Sequence, residues 1–252
     1  MIGNEKVEYT FKGLQNLIAE HEAISFDIFD TLVMRTVYFN HDVFRLVAKK
    51  YKDQAPNFFE ARERAEKELS TVTYPYIEEI YDRVAKECSL TDALKTEIME
   101  YEIEVERNVI VARKAIVDIF NYCKNIGKRV FIVSDMYIHK KEMEDIINNI
   151  GITGYDKIFV SCEYGSSKPQ HLFEKYLNEI KAESYLHIGD SFICDIQASA
   201  KVGINSFRLK TSAEIFENLG GTPSNDLDER CKQGEYICSE YNSPFCEENI
   251  GK

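Results

Sequence analysis

Short apolar runs recur along the chain, and helix-length segments separate most of them. The runs are AISFDIF (23–29), RVFIVS (129–134), KIFVS (157–161), YLHIG (185–189) and INSFRL (204–209). A run that is apolar at nearly every position is typical of a strand buried on both faces of a parallel sheet. Strands of this kind that alternate with helices predict an α/β fold, a doubly wound parallel sheet.

The segments between the last four runs have the length and the end signals of helices. KKEMEDIINNIG ends at Gly151, PQHLFEKYLNEIK begins with Pro169, and CDIQASAKVG ends at Gly203. Proline is favoured in the first turn of a helix and glycine just beyond its end. Ligands of such sheets bind at the carboxyl ends of the strands. The residues that follow the apolar runs are therefore the first candidates for a functional site.

The long segment between the first two runs contains no pattern that predicts a strand. Residues 77–88 and 94–105 instead place their apolar side chains on one helical face. We expect an all-α cap subdomain at residues 36–110, inserted into an α/β core formed by residues 1–35 and 111–210. The acidic run EIMEYEIEVERN in the cap predicts a solvated helix face.

Residues 211–252 form the last part of the chain. SAEIFENLG predicts a short helix, and the polar remainder has no sustained period, which favours a loose tail without chemistry. The chain has seven cysteines, an odd number, and they form no CxxC pair. This pattern predicts neither a disulfide framework nor a zinc site. We expect the last three cysteines (Cys231, Cys238 and Cys246) to be exposed in the tail.

Composition and charge exclude several functions. The formal net charge of −12 disfavours a nucleic-acid partner, because such binding depends on clustered lysine and arginine. The same charge suits a site that holds a cation. No apolar run approaches the roughly 20 residues that cross a bilayer, and MIGNEKVEYTFKG lacks the apolar centre of a signal peptide. We expect a cytoplasmic protein with no membrane partner; the sequence does not indicate an oligomeric state.

Polar residues that could take part in chemistry lie at the ends of four of the apolar runs or follow them. In chain order they are Asp27 with Asp30, Ser134, Lys168, and Asp190 with Asp195. The carboxyl ends of parallel strands lie on one edge of a sheet, so we expect these side chains to meet in one crevice. The four positions together indicate a functional site more strongly than any one of them alone.

This set of residues suits the transfer of a phosphoryl group with the help of a metal. Mg²⁺ prefers hard carboxylate oxygens, which Asp27 and Asp190 can supply, with Asp195 in direct or indirect contact. Lys168 and Ser134 can hold phosphoryl oxygens while their charge changes. Under this interpretation Asp27 attacks phosphorus and forms an aspartyl-phosphate.

The ordered motifs resemble those of the haloacid dehalogenase-like superfamily across roughly residues 20–210. DIFDTL is the first motif and GDSFICD the fourth, with Ser134 and Lys168 as the second and third. The insertion resembles the helical type 1 cap that lies between the family's first two motifs. FDIFDTL, SDMY and HIGDS resemble more closely a bacterial branch of predicted hydrolases, some of them modules of surface-polysaccharide biosynthesis proteins. That branch makes a sugar phosphate one candidate substrate.

The resemblance implies a role for each motif residue. Asp27 would be the nucleophile and a metal ligand, Asp190 a metal ligand, and Asp195 a support of the metal site. The backbone carbonyl of Phe29 would face the metal, and Thr31 would brace the first loop beside the substrate. The expected cofactor is therefore Mg²⁺, and the expected substrate is a small phosphorylated metabolite.

One position departs from the family's pattern. Its phosphatases usually carry a second aspartate two residues after the nucleophile, where it protonates the leaving group and then activates water, but this chain has Phe29. Loss of a positioned acid/base costs about a hundredfold to ten-thousandfold in rate. Asp30 or Asp135 could replace the missing acid, or the leaving group could need no proton. The alternative is that Asp30 and Asp135 only hydrogen-bond the loops after their strands. Arg35 could bind a substrate phosphate or carboxylate, or form a surface ion pair.

Two alternative functions stay open. Dehalogenases and phosphonate hydrolases of the family also lack the second aspartate. Dehalogenases use no metal, however, and have no need of the acidic pair in GDSFICD. The phosphonate hydrolases form a Schiff base with a cap lysine, and a solvated helix face is a sufficient explanation of Lys49, Lys50 and Lys52. The second alternative is a phosphate-binding module that has lost turnover, for which Phe29 is the supporting residue.

Overall fold

A computed structural model of the chain describes residues 8–245. These residues form the strands β1 (Ala23–Phe26), β2 (Val33–Arg35), β3 (Ile110–Ala112), β4 (Arg129–Ser134), β5 (Lys157–Val160), β6 (Tyr185–Gly189) and β7 (Asn205–Arg208). Five of the strands make a parallel sheet in the order β5-β4-β1-β6-β7. The five apolar runs are therefore confirmed as strands of a doubly wound sheet.

Helices pack around this sheet and form the insertion. They are α1 (Phe11–Ala19), α2 (Asp42–Lys50), α3 (Phe58–Ser70), α4 (Ile77–Cys88), α5 (Asp92–Val109), α6 (Lys114–Asn125), α7 (Lys140–Asn149), α8 (Ser161–Tyr164), α9 (Phe173–Glu179), α10 (Ala198–Lys201), α11 (Ser212–Asn218) and α12 (Leu227–Glu240). π-Helical turns at Lys168–Leu172 and Phe192–Gln197 precede α9 and α10. None of the helices within residues 8–245 is long and apolar enough to cross a membrane.

Strand β1 lies at the centre of the sheet, and both of its faces are covered. Ile24 and Phe26 belong to the larger hydrophobic cluster, on one face. Ala23 packs with Phe131 and Val133 in a second cluster on the other face. Burial on both faces explains why the run AISF lacks the alternation of apolar and charged residues that a half-exposed strand would show. The central position also brings the residues after β1 next to those after its two neighbours, β4 and β6.

Strands β2 and β3 lie outside the parallel sheet, at the two ends of the insertion. They pair antiparallel, with Val33 opposite Ala112 and Arg35 opposite Ile110. The expectation that no strand lies between the first two apolar runs was therefore wrong. Each of these strands has three residues, which is too short to show a period in the sequence. This two-stranded sheet joins the helical insertion, which consists of α2 to α5, to the core.

A buried charge network holds the helices of the insertion together. Arg62 on α3 is fully buried and donates to Glu102 on α5 (Nη2 to Oε1, 2.7 Å) and to Glu66 (Nη1 to Oε2, 2.7 Å). The Tyr81 hydroxyl on α4 donates to the same Glu102 at 2.8 Å. The guanidinium also lies 4.6 Å from the ring centre of Tyr137, which belongs to the core. The acidic run was predicted to be solvated, and this was wrong for Glu102.

The prediction of a loose tail was wrong for residues 227–240, which form α12. Arg230 on this helix pairs with the buried Asp42 at the start of α2, with Nη2 and Oδ1 2.8 Å apart. Gly234 lies against the backbone of Thr36, where a Cβ atom would approach the Thr36 carbonyl carbon to 2.6 Å. The helix is anchored by an arginine and a glycine instead of an apolar stripe, so its sequence shows no clear period.

The cysteines of residues 8–245 are all free. Cys238 on α12 is buried, and its Sγ donates to the backbone oxygen of Arg35 at 3.2 Å. The expected exposure was therefore wrong for Cys238, whereas Cys231 is partly exposed. Cys246 lies outside the described residues.

Candidate active site

Three aspartates meet beyond the carboxyl ends of β1 and β6. Asp27 follows β1, and Asp190 and Asp195 follow β6. One carboxylate oxygen from each lies within 4.8 Å of the others. β1 and β6 are neighbours in the sheet, with Phe26 opposite Ile188, so the residues beyond their ends come to the same place. The sheet topology thus produces a cluster from residues that are far apart in sequence.

Lys168 joins this cluster from the π-helical turn that follows α8. Its Nζ lies 2.9 Å from Asp27 Oδ1 and 2.5 Å from Asp195 Oδ1. Burial lowers the pKa of Lys168, but the nearby carboxylates outweigh this effect and raise it well above its usual range. The ammonium group therefore stays charged. Burial raises the pKa of Asp195, yet Lys168 and His187 together hold it below its usual value.

His187 on β6 orients Asp195 through a hydrogen bond. His187 is fully buried. Its ring also hydrogen-bonds to Asp195, with Nε2 and Oδ1 3.0 Å apart, and to Ser25, with Nδ1 and Oγ 2.9 Å apart. A Cβ atom on Gly189 would lie 2.3 Å from Asp195 Cγ, so only glycine leaves room for this carboxylate. A histidine inside a buried strand was the available sequence signal, because a buried polar ring needs partners.

Asp190 lies in a strongly negative environment. Burial raises the pKa of its carboxyl group well above the usual value, and the neighbouring Asp30 and Asp27 raise it further. The Thr31 hydroxyl donates to Asp190 Oδ1 at 3.4 Å. Thr31 is fully buried. It therefore touches the acidic cluster, at a long hydrogen-bond distance.

The chemistry of this donor set fits a divalent cation. It consists of three close carboxylates, and Lys168 is the one ammonium group that contacts them within residues 8–245. Burial is the main cause of the raised pKa of Asp190, and repulsion between like charges at such distances adds to it. Hard oxygen ligands with a net negative charge are those that Mg²⁺ prefers. The residues thus fit the metal that the sequence predicts.

Ser134 ends β4, the other neighbour of β1 in the sheet. It is 1% exposed, and its Oγ has no hydrogen-bond partner within residues 8–245. A buried polar group without a partner costs about 1–3 kcal/mol. A ligand oxygen near the end of β4 would relieve this cost.

The first-motif loop is fixed by a residue that the sequence analysis missed. Asp30 has a positive φ of 56°, a conformation that glycine adopts without strain. The fully buried Arg113 donates from Nη1 to the Asp30 carbonyl oxygen (2.6 Å) and from Nη2 to that of Lys210 (2.7 Å). No sequence motif marked Arg113, because its partners are backbone carbonyls of distant segments.

A cavity of about 1130 Å³ lies between the core and the helical insertion. Its core side includes residues adjacent in sequence to motif residues: Phe29, Asp135, Ser167 and Cys194. Its other side includes one face of α3, with Glu60, Glu63, Arg64 and Lys67. The cavity therefore lies between the helical insertion and residues that neighbour the motif residues in sequence, whereas Asp27, Lys168, Asp190 and Asp195 are described residues outside its lining.

The two acids considered as replacements for the missing aspartate differ in position. Asp135 lines the cavity, and burial raises the pKa of its carboxyl group to about 6. Its Oδ1 accepts a hydrogen bond from the backbone N–H of Lys168 at 2.8 Å. Asp30, a described residue, lies outside the cavity lining. Of the two, Asp135 is better placed to meet a ligand.

Arg35 lies apart from the acidic cluster, on strand β2. Its Nε donates to Glu106 Oε1 at 2.6 Å, and its guanidinium carbon lies 3.9 Å from the ring centre of Phe29. All three residues line the cavity. The predicted alternative of a surface ion pair was wrong, because the side chains of Arg35 and Glu106 are only 10% and 3% exposed. Glu106 belongs to the acidic run that was predicted to be solvated, so that prediction was wrong for Glu106 as well.

Two of the three cap lysines considered for a Schiff base have other partners. Lys49 Nζ lies 2.6 Å from Asp228 Oδ1, and Lys50 Nζ lies 3.4 Å from the ring centre of Tyr101. Lys49 and Lys50 are described residues outside the cavity lining, whereas Lys67 is part of it.

Comparison with known proteins supports the fold. A family model described as haloacid dehalogenase-like hydrolase matches residues 24–209. The mouse (Mus musculus) haloacid dehalogenase-like hydrolase domain-containing protein 3 is 32% identical over 97 residues, which cover 37% of this chain and 38% of that protein. The match thus spans less than half of the length of this curated relative.

Two solved structures are similar in fold to most of this chain. The HAD-hydrolase YfnB from Bacillus subtilis, bound to magnesium, aligns with a TM-score of 0.55 and 15% identity over 80% of this chain and 99% of its own. The L-2-haloacid dehalogenase from Xanthobacter autotrophicus aligns with a TM-score of 0.53 and 13% identity over 81% and 84%. At these identities the similarity is one of fold.

Proposed function

The chain belongs to the haloacid dehalogenase-like hydrolases, and we propose that it is a magnesium-dependent phosphohydrolase or phosphotransferase. Its proposed substrate is a small phosphorylated metabolite, with an aspartyl-phosphate at Asp27 as the intermediate. The observation that carries the proposal is that three carboxylates, those of Asp27, Asp190 and Asp195, lie close together and that two of them contact the Lys168 ammonium.

In the first step Asp27 attacks phosphorus. Burial raises the pKa of Asp27, and the Lys168 ammonium at 2.9 Å opposes that effect and favours the ionised nucleophile. Lys168 and the unpartnered Ser134 hydroxyl bind the phosphoryl oxygens, where negative charge shifts during the transfer. Splitting the reaction through a covalent intermediate replaces one difficult displacement by two easier ones.

Asp27, Asp190 and Asp195 would hold the Mg²⁺, with the Phe29 backbone carbonyl as a further predicted ligand. When bound, the ion supplies positive charge against the phosphoryl oxygens. Thr31 orients Asp190 through its hydrogen bond. The ring of His187 does the same for Asp195.

In the second step water releases the phosphate from Asp27. Asp135 is the proposed base, because it lines the cavity and its carboxyl pKa of about 6 lies near a working pH. Asp30 is the second candidate for this role. The helical cap closes over the cavity and excludes water until the first transfer is complete.

A phosphate-binding module without turnover is the second candidate, and Phe29 is the observation that favours it. The retained set of Lys168, Ser134 and three carboxylates argues for turnover. Dehalogenase chemistry has weaker support, because the similarity to dehalogenases is one of fold and the acidic cluster serves no purpose in halide displacement.

A substrate panel tests the proposal. Phosphate esters, acyl phosphates, phosphonates and haloacids are assayed with and without Mg²⁺, for the native chain and for Asp27→Asn. We expect Mg²⁺-dependent phosphate release that falls at least about a thousandfold in the variant. Metal-independent turnover of haloacids would contradict the proposal. Phosphate binding without turnover of any compound would support the module.

A further inference from the structure

The position where a proton donor is usual holds an apolar ring covered by a fixed cation. Phe29 follows the nucleophile Asp27 by two residues, lines the cavity and is 9% exposed. The guanidinium carbon of Arg35 lies 3.9 Å from the centre of its ring. A phenyl group can neither give nor accept a proton, whereas the guanidinium carries a permanent charge. The position two residues after Asp27 therefore carries a guanidinium over an apolar ring where a proton donor is usual.

Arg35 is held in this place by partners on both sides. Nε donates to Glu106 at 2.6 Å and Nη1 to Asn40 Oδ1 at 3.3 Å. These bonds use two of the five N–H groups of a guanidinium. Glu106 and Asn40 line the cavity as well. Strand β2 fixes the backbone of Arg35 by pairing with β3. The guanidinium is thus a pre-oriented cation on the cavity wall.

We propose that the substrates are acyl phosphates, whose carboxylate leaves without a proton while Arg35 stabilises its charge. This inference rests on the proposed phosphohydrolase function. A carboxylic acid has a pKa near 4, so a carboxylate is a stable leaving group at neutral pH. An alkoxide is far more basic and needs the acid that Phe29 cannot provide. A guanidinium also matches a carboxylate through paired hydrogen bonds.

The reaction balances without an acid in the first step. An Asp27 oxygen bonds to phosphorus, the bond from phosphorus to the bridging oxygen breaks, and its electron pair stays on the departing carboxylate beside Arg35. Water then bonds to phosphorus, and the bond to Asp27 breaks. Both hydrogens of the water end on the phosphate, which leaves as dihydrogen phosphate, and Asp27 is again a carboxylate. The inference disfavours simple sugar phosphate esters, whose leaving groups are alkoxides.

A series of leaving groups tests this inference. With saturating Mg²⁺, kcat/KM is measured for acetyl phosphate, for substituted aryl phosphates and for glycerol phosphate. We expect acetyl phosphate to exceed glycerol phosphate by at least about a hundredfold. Phe29→Asp should raise the ratio of glycerol phosphate turnover to acetyl phosphate turnover at least about tenfold. Equal rates for acyl and alkyl phosphates would overturn the inference and leave the phosphohydrolase standing. No turnover of any compound would overturn both.

Arg35→Met tests the role of the guanidinium, with Arg45→Met as the matched control. Arg45 also lies over a phenyl ring, 4.2 Å from the centre of Phe59, and it pairs with Asp42. It is a described residue outside the cavity lining. We expect Arg35→Met to lower kcat/KM for acetyl phosphate about a hundredfold and the control less than about threefold.

The aryl phosphates separate a direct role of Arg35 from a structural one. If the guanidinium stabilises the departing oxygen, Arg35→Met makes the dependence of log kcat/KM on leaving-group pKa steeper. A merely structural role lowers all members of the series by the same factor and leaves the slope unchanged, and that result would overturn the inference. Thermal unfolding of both arginine variants and of Phe29→Asp shows whether each chain is folded during the assay.

Discussion

The core and the helical insertion both carry acidic and basic side chains near the cavity, but those of the core are buried and those of the insertion are exposed. In the core, behind the residues that line the cavity, Asp27 and Asp195 both contact Lys168, and the three residues are 6%, 0% and 4% exposed, respectively. On the side of the insertion, the charged residues of α3 that line the cavity are mostly exposed to it, as Glu63 and Arg64 are. Buried charges constrain each other strongly, whereas exposed pairs contribute little.

This difference indicates a division of labour. The core side has a fixed geometry and offers oxygen ligands, an ammonium and a hydroxyl, which suits the proposed chemistry. The side of the insertion has exposed side chains of both charges, which suits contact with the part of a substrate that does not react. Substitutions should therefore have large effects where charges are buried and small effects where they are exposed.

The largest effect is expected inside the helical insertion, where a buried pair supports the exposed face of α3. Arg62→Met leaves Glu102 buried without its cation, and loss of one partner of such a pair costs about 3–5 kcal/mol. Urea unfolding of the variant should show this loss. Arg83→Met is the matched control, because Arg83 pairs with Glu68 at the surface and should cost less than about 1 kcal/mol. Equal costs would remove the contrast between buried and exposed charges.

The next effect concerns the acidic cluster of the core side. Asp190→Asn removes a proposed metal ligand and should weaken Mg²⁺ binding about tenfold to a hundredfold. The rise of the unfolding temperature with added Mg²⁺ measures this affinity. Without Mg²⁺ the variant should be as stable as the native chain or more so, because like charges surround Asp190. Asp118→Asn, in an exposed pair with Lys114, should leave the Mg²⁺ dependence unchanged.

A smaller effect is expected where α12 meets the start of the insertion. Arg230→Met leaves Asp42 with Arg45 as a remaining partner, so we expect a loss of about 2 kcal/mol. Hydrogen exchange of the backbone at residues 36–42 should become faster. The control is Lys232→Met on the same helix, whose pair with Glu229 is exposed. Unchanged exchange in Arg230→Met would show that α12 does not hold this segment.

The smallest effect is expected on the exposed face of α3. Glu63→Gln should change KM by less than about threefold and leave kcat unchanged, because an exposed charge interacts weakly through water. Steady-state kinetics with an active substrate of the panel provide the measurement. A large fall in kcat would mean that the insertion takes part in the chemistry, against the proposed division of labour.

The sequence was sufficient for the core and insufficient for the features that depend on tertiary pairing. Asp27, Ser134 and Asp190 could be placed on one edge because each follows an apolar strand. His187, Arg113 and Glu106 escaped recognition as parts of the site. Their positions depend on partners from distant segments, and no local period or motif records such contacts. Helix α12 was missed for the same reason.

The central claim is that Asp27 becomes phosphorylated beside a divalent ion. During turnover of acetyl phosphate with Mg²⁺, the reaction is quenched with acid, and borohydride reduces any aspartyl-phosphate to homoserine. Peptide mass spectrometry then locates the product. The account predicts homoserine at position 27 only when substrate and Mg²⁺ are both present, and none in Asp27→Asn. Continued turnover with homoserine at another aspartate, or with none at position 27, would contradict it.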